Sequence, residues 1–130
     1  MILADTSAWI EYLRQTGSAT DERVDRAVRK GEAFATTDVV LMEVLAGARG
    51  DAHEEELRRL LGGCELFATE GPTDYERAAE LYRACRSGGE TIRTLLDCLL
   101  AAVAIRHDLP LLHADADFDA IARHAPLAIA

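Results

Sequence analysis

Short apolar segments alternate with longer amphipathic stretches along this chain, and that alternation constrains the fold more than any other feature. The apolar segments predict strands at residues 2–5, 33–36, 64–68 and 109–113, with residues 127–129 as a candidate edge strand. The amphipathic stretches predict helices over residues 6–14, 19–31, 38–48, 54–61, 72–86, 91–107 and 117–124. Because strands that alternate with helices favour parallel pairing, the predicted fold is a three-layer α/β/α sandwich with a mostly parallel central sheet.

The overall composition is typical of one folded domain spanning residues 1–130, with 49% hydrophobic and 28% charged residues. The formal net charge of −9 excludes an overall basic surface of the kind that binds nucleic acid non-specifically. The first residues are too short for a secretion signal, and the apolar run at 95–105 is too short to span a membrane. We therefore expect a cytoplasmic protein that makes no membrane contact.

Four acidic residues lie in apolar surroundings at widely separated places in the chain. Asp97 is the only charged residue of the apolar run 95–105, and Asp5 follows the apolar residues 1–4. Glu43 interrupts the apolar run 39–45, and Asp115 follows soon after the apolar residues 111–112. Because an unpaired buried carboxylate is unfavourable, this pattern indicates one shared acidic site.

Some of these acids have ordinary structural interpretations. Asp5 can cap the N-terminus of the following helix, and Glu43 can pair with Arg49 on the solvent side. Asp97 can pair with Arg93, which stands four residues earlier on the same predicted helix. The apolar residues around Asp97 favour a site over a surface ion pair.

The remaining polar candidates are also open to two interpretations. Asp115, Asp117 and Asp119 alternate through a turn and are typical of caps or solvated loop acids. His113 lies on the apolar strand predicted at 109–113 and could be a ligand, although a hydrogen-bonded core histidine is more common there. Ser7 has no histidine base near it in sequence, which favours a hydrogen bond to Asp5 or to phosphate over a nucleophilic role.

A hard divalent cation would reconcile four converging carboxylates. Asp5 and Asp115 follow predicted strands, so both emerge at the carboxyl edge of the sheet, and Glu43 and Asp97 must approach from helices. Four such groups without a counter-ion would repel one another, and some would become protonated. Oxygen-only ligands suit Mg²⁺ or Mn²⁺, and such sites commonly serve phosphodiester cleavage.

Four segments taken in order, residues 2–10, 42–47, 97–102 and 113–119, resemble the PIN-domain ribonucleases, specifically the VapC-like toxins of type II toxin–antitoxin systems. The resemblance covers nearly the whole chain. It implies a PIN-like fold and a quartet of catalytic acids. It also implies two supporting residues, each two positions after an acid of the quartet. The quartet is Asp5, Glu43, Asp97 and Asp115, and the supporting residues are Ser7 and Asp117.

The resemblance also implies a mechanism and partners. It implies an endoribonuclease that uses Mg²⁺ or Mn²⁺, with Asp5, Asp97 and Asp115 as metal ligands and Glu43 binding metal or orienting water. RNA is the implied substrate, a small antitoxin the implied inhibitor, and a homodimer the implied assembly. His113 departs from the Thr or Ser common in the family, which leaves the orientation of Asp115 open.

The acidic pocket requires flanking bases if RNA is to bind, and apolar surface if the chain is to dimerise. The bases nearest the motifs in sequence are Arg14, Arg49, Arg86 and Arg93. A stripe on the helix predicted at residues 72–86 offers apolar surface, although core packing is its default use. Its members are Ala78, Leu81, Tyr82 and Cys85.

Two other functions remain open at the level of sequence. A receiver-like signalling domain also has an acidic pocket, but it pairs adjacent acids after the first strand with a lysine near the last. Here Thr6 follows Asp5, and Lys30 is the only lysine, which disfavours that interpretation. A catalytically silent PIN scaffold is the other alternative, and the intact quartet counts against it.

Overall fold

The central sheet is parallel throughout in the computed structural model, which describes residues 1–130. Its order is β3-β2-β1-β4, and Leu3 on β1 lies between Ala35 on β2 and Leu111 on β4. All three side chains are fully buried. The strands are β1 (Ile2–Ala4), β2 (Phe34–Thr36), β3 (Glu65–Leu66) and β4 (Leu111–Leu112).

Seven helices connect and cover these strands, which confirms the predicted α/β sandwich. Helix α1 packs mainly on α2, and α5 packs on both α6 and α7. Residues 97–104 of α6 are all buried, so α6 is the central helix of the core. The helices are α1 (Thr6–Leu13), α2 (Ala19–Lys30), α3 (Asp38–Ala46), α4 (Asp51–Gly62), α5 (Thr73–Ser87), α6 (Leu95–Arg106) and α7 (Ala116–His124).

Helix α6 begins later than the helix predicted at residues 91–107. Thr94 has extended backbone angles, and its hydroxyl accepts the N–H of Leu96 at 3.2 Å, which caps the helix at that point. Arg93 therefore lies outside the helix and not one turn before Asp97. The alternative interpretation of Asp97, an ion pair with Arg93, does not hold, because Arg93 pairs with Asp115 and Asp117 instead.

Other boundaries differ by a few residues. The predicted strand at 64–68 is reduced to Glu65–Leu66, and the candidate edge strand at 127–129 is reduced to one parallel bridge between Ile129 and Leu111. Helix α4 begins at Asp51 and not at residue 54, directly after Gly50 with its φ of 130°. None of the helices has the length and apolar character that crossing a bilayer requires.

The sheet changes its direction of growth beside β1. From β1 the chain adds β2 and β3 on one side, and then returns to place β4 on the other side of β1. The crevice outside the carboxyl ends of β1 and β4 is a topological switch point, where ligands bind in open α/β sheets. Asp5 follows β1 directly and Asp115 follows β4 by three residues, so both acids lie at this crevice.

Candidate metal centre

A cavity of about 330 Å³ opens at the switch point, and all four acids predicted from the sequence line it. Strand ends supply two of them, while α3 and α6 supply the others. The structure thus brings together side chains that are far apart in sequence. The lining residues are Asp5, Thr6, Ser7, Ile10, Glu43, Arg93, Thr94, Asp97 and Asp115.

Asp5 is both the N-cap of α1 and a wall of this cavity. Its Oδ2 accepts the backbone N–H of Ser7 at 3.0 Å and the Ser7 hydroxyl at 2.5 Å. Burial raises the pKa of the Asp5 carboxyl, although the two hydrogen bonds from Ser7 oppose that change. The Ser7 oxygen also accepts the N–H of Ala114 at 2.9 Å, so it joins the segment after β4 to α1.

Asp115 caps a second helix at the same crevice. Its Oδ1 accepts the N–H of Asp117 at 3.0 Å, at the start of α7. The N–H of Asp115 donates to Nδ1 of His113 at 3.1 Å, and that imidazole is buried against Phe118. His113 is thus a hydrogen-bonded core histidine, and the bond it makes orients the backbone of Asp115.

Glu43 reaches the cavity from the middle of α3. Its Oε1 accepts the hydroxyl hydrogen of Thr6 at 3.0 Å, and burial raises the pKa of its carboxyl. The alternative interpretation, an ion pair with Arg49, does not hold, since Arg49 lies beyond the end of α3 and Glu43 bonds to Thr6 instead. Glu43 therefore faces the other acids and not a surface cation.

Asp97 is the least satisfied carboxylate of the cavity. It lies in the first turn of α6 with 9% of its surface exposed, and its Oδ2 has no hydrogen-bond partner. Burial, followed by the neighbouring charges of Asp5 and Asp115, raises the pKa of this carboxyl to about 7. A buried carboxylate oxygen with no donor is the kind of ligand atom that a cation would satisfy.

The group closest to metal-binding geometry is Asp97, Asp115 and Asp117, in which one carboxylate oxygen from each residue lies within 4.8 Å of the other two. Asp117 joins this group although the sequence indicated it only as a supporting residue. Asp5 is not among these three, although its charge is the first of the neighbouring charges that raise the pKa of Asp97. Three carboxylates without nitrogen or sulfur donors fit a hard cation such as Mg²⁺ or Mn²⁺.

Positive charge from the chain itself partly balances these acids. Arg93 Nη2 donates to Asp115 at 2.7 Å, and Arg93 Nε donates to Asp117 at 3.0 Å, although 72% of the Arg93 side chain is exposed. The N-termini of α1, α6 and α7 also meet here, because their caps Asp5, Thr94 and Asp115 all line the cavity. Each terminus carries about half a positive charge.

Arg93 is a site residue whose position the sequence did not predict, because residues 91–94 read as the first turn of a helix. Among the arginines proposed to hold RNA, only Arg93 lines the acidic cavity. Arg86 lines an adjoining groove, whereas Arg14 follows the far end of α1. Nothing in the local sequence distinguishes Arg93, which lines the cavity, from Arg14, which does not.

A sequence model of the PIN domain matches residues 2–124. Among curated proteins, the VapC ribonuclease Mb1587 of Mycobacterium bovis is 46% identical over 124 residues, covering 95% of this chain and 92% of that protein. Ribonuclease VapC11 of Mycobacterium tuberculosis has the same identity and coverage. The similarity to both extends over almost the whole of each protein.

Solved structures share the fold at lower sequence identity. VapBC2 from Rickettsia felis, bound to a DNA fragment from its promoter, superposes with a TM-score of 0.75 at 18% identity, covering 100% of this chain and 98% of that one. FitAcB from Neisseria gonorrhoeae superposes with a TM-score of 0.72 at 22% identity, covering 99% and 96%. The sarcin–ricin loop cleaving toxin VapC20 of Mycobacterium tuberculosis gives 0.69 at 20% identity, covering 98% and 99%.

Proposed function

This chain belongs to the PIN-domain family, among its VapC-like ribonucleases, and from that membership we propose that it is an endoribonuclease toxin that an antitoxin neutralises. The observation that carries the proposal is the cluster of carboxylates at the switch point, with the unpartnered Oδ2 of Asp97 among them. Buried polar atoms are usually paired with a donor, whereas the charged groups that act on Asp97 are other acids. The bond hydrolysed is an RNA phosphodiester.

The carboxylates would hold Mg²⁺ or Mn²⁺. Asp97 and Asp115 are the proposed ligands common to the sequence resemblance and to the geometry, with Asp117 supported by distance and Asp5 by resemblance. When bound, such a cation stabilises charge on the phosphoryl oxygens and lowers the pKa of a water molecule. Arg93 would have to release at least one carboxylate, since it occupies the edge of the same group.

Glu43 is the proposed residue that orients and deprotonates the attacking water. Its single hydrogen bond, from Thr6, leaves its second carboxylate oxygen free to accept one. Burial raises the pKa of Glu43, which makes its carboxylate a better proton acceptor. Ser7 acts as a positioning residue, because its hydroxyl fixes Asp5.

The antitoxin would inhibit by placing an arginine or lysine on the carboxylates. Arg93 supports this proposal, because its guanidinium already contacts Asp115 and Asp117 in the way that an incoming cation would. A homodimer is also proposed, on family likeness alone. The apolar stripe of α5 adds nothing to that argument, since Ala78, Leu81 and Cys85 are buried within the chain's own core.

We further propose that residues 1–130 act as one nuclease domain and that the site of action is the cytoplasm. The first part is supported by a single core cluster that draws on both ends of the chain, from Leu3 to Leu127. The second follows from the proposed RNA substrate. Fractionation of a cell that carries the chain with its antitoxin would test the location.

Expression in a bacterial host tests the proposed function. The wild-type chain should arrest growth, and Asp5→Asn or Asp115→Asn should relieve the arrest, because each variant keeps the size of the side chain but removes a charge from the cavity. Asp51→Asn is the matched control, since Asp51 is exposed at the start of α4 and belongs neither to the cavity lining nor to the group of close carboxylates. Purified wild-type chain should cleave RNA with Mg²⁺ or Mn²⁺ and not with a chelator. Equal toxicity of the wild-type and Asp5→Asn chains would contradict the proposal.

A further inference from the structure

A second groove adjoins the acidic cavity and has the opposite charge. It has a volume of about 630 Å³ and shares the lining residues Arg93 and Thr94 with the acidic cavity, so the two lie side by side. Not one acid lines this groove, although the chain carries 23 acids against 14 bases. Its lining residues are Ala79, Tyr82, Arg83, Arg86, Ile92, Arg93, Thr94 and Leu95.

Two arginines in this groove are free of ion pairs. Arg83 and Arg86 lie three residues apart on one face of α5, both are exposed, and neither pairs with a carboxylate. Arg77, on the same helix, is already paired with Glu80. Unpaired guanidinium groups on one face can form bidentate hydrogen bonds with successive phosphate groups.

The groove also offers flat and apolar surface between its cations. The guanidinium carbon of Arg86 lies 5.7 Å from the centre of the Tyr82 ring, a cation–π distance that holds both side chains at the groove. Ile92 forms a buried floor, and Leu95 is 59% exposed. Aromatic rings beside arginines are the surface on which bases of single-stranded nucleic acid stack.

We propose that this groove binds single-stranded RNA on one side of the scissile bond, with Arg83 and Arg86 contacting phosphates and Tyr82 contacting a base. The proposal rests on the proposed function and assigns a substrate-binding surface to it. RNA is favoured over an acidic protein segment because Arg93 lines both the groove and the cavity that holds the carboxylates, which places the groove beside the proposed scissile bond. A polyanion that enters such a cluster needs a neighbouring cationic surface to offset the repulsion.

Binding of a short, labelled, unstructured RNA to Asp97→Asn protein in chelator tests the proposal without cleavage. Adding Arg83→Gln with Arg86→Gln should weaken binding about twentyfold at 0.1 M salt and reduce the slope of log K against log salt by about 1.4, since each phosphate contact on a single strand contributes about 0.7. Adding Tyr82→Ala should weaken binding about fivefold or more and change the slope less than the arginine pair does, because it keeps both guanidinium charges.

The matched control is Arg26→Gln with Arg59→Gln, which removes the same charge from two other exposed arginines that also lack ion pairs. This pair should leave RNA binding nearly unchanged. The proposal would be overturned if the two double-arginine variants lost the same affinity for RNA. It would also be overturned if Arg83→Gln with Arg86→Gln left the slope of log K against log salt unchanged, or if the Asp97→Asn protein did not bind RNA. Loss of antitoxin binding with RNA binding intact would overturn it too, since the occupant would then be a protein.

The outcomes separate this proposal from the proposed function. If wild-type protein cleaves no RNA with metal, while RNA binding still depends on Arg83 and Arg86, the nuclease proposal fails and the groove stands. If the Arg83→Gln, Arg86→Gln protein cleaves RNA with an unchanged kcat/KM, the groove proposal fails and the nuclease proposal stands. Arg83 and Arg86 are both on the surface, and an unchanged thermal midpoint will verify that the double variant folds.

Discussion

Asp74 and Asp97 are two buried carboxylates on neighbouring helices, and their surroundings are opposite. Asp74 lies in the first turn of α5 and is 2% exposed, while Asp97 lies in the first turn of α6 and is 9% exposed. Asp74 accepts two hydrogen bonds from Arg106, at 2.9 and 2.8 Å, and one from the N–H of Glu70. Asp97 has no arginine, and one of its oxygens has no partner.

The pKa values of the two carboxyl groups move in opposite directions. The hydrogen bonds from Arg106 lower the pKa of Asp74, whereas burial and the nearby acids raise the pKa of Asp97 to about 7. Burial alone therefore does not identify a functional acid. The distinguishing property is whether the chain surrounds the buried carboxylate with hydrogen-bond donors and cations. Asp74 has such partners, whereas the neighbours of Asp97 are other acids.

The largest expected difference between the two is in catalysis. Asp97→Asn should lower RNA cleavage about a thousandfold, because it removes a charge from the proposed metal group while it keeps the shape of the side chain. Asp74→Asn should retain the wild-type kcat per folded molecule, since Asp74 contacts no residue of the cavity. Single-turnover cleavage at saturating metal would measure both, and comparable rates for the two variants would remove the basis of the comparison.

The two substitutions should affect stability in the opposite way, with Asp74→Asn destabilising the protein and Asp97→Asn stabilising it. Asp74→Asn should lower the free energy of unfolding by about 3 kcal/mol, since it removes the buried carboxylate that pairs with the partly exposed fork of Arg106. Asp97→Asn should raise the free energy of unfolding of metal-free protein by about 2 kcal/mol, because it relieves repulsion among acids. Urea titration in chelator, at a pH near 8, would measure both. A destabilised Asp97→Asn protein would show that its carboxylate is structural.

The stability gained from metal binding should depend on the carboxylates around Asp97 and not on Asp74. At a concentration of Mn²⁺ near a hundredfold above its Kd, wild-type protein should gain about 2.7 kcal/mol of stability, and Asp74→Asn protein should gain the same amount. Asp117→Asn should lose most of the gain if the close group of carboxylates is the binding set. If Asp5→Asn loses the gain and Asp117→Asn keeps it, the set implied by sequence resemblance is the correct one.

The smallest expected effect is a dependence on pH. A carboxyl group with a raised folded-state pKa binds its proton more tightly in the folded chain, so Asp97 should destabilise metal-free protein as pH rises through about 7. Asp74 acts in the opposite sense, since its contribution is complete above its unfolded pKa of about 4 and is lost only as pH falls further. The thermal midpoint of metal-free wild-type protein should therefore rise when the pH is lowered from 8 to 5.5. The thermal midpoint of Asp97→Asn protein should rise less over the same change.

The sequence predicted the α/β sandwich and the convergence of the quartet for identifiable reasons. Asp5 and Asp115 follow strands, and Asp97 lies alone on an apolar helix, so burial and strand direction sufficed. The position of Arg93 was not predictable, because it depends on the Thr94 cap that delays the start of α6. The pairing of Asp74 with Arg106 joins residues 32 positions apart, and no local pattern indicates such a partner.

The placement of β1 beside β4 has a consequence for protein synthesis. The hydroxyl of Ser7 accepts the N–H of Ala114, which follows it by 107 positions, and two of the three close carboxylates, Asp115 and Asp117, come still later. A chain that ends before β4 carries Asp5, Glu43 and Asp97 but lacks the rest of the acidic group. We expect such a fragment to have none of the proposed nuclease activity, so the proposed toxicity requires translation past residue 117.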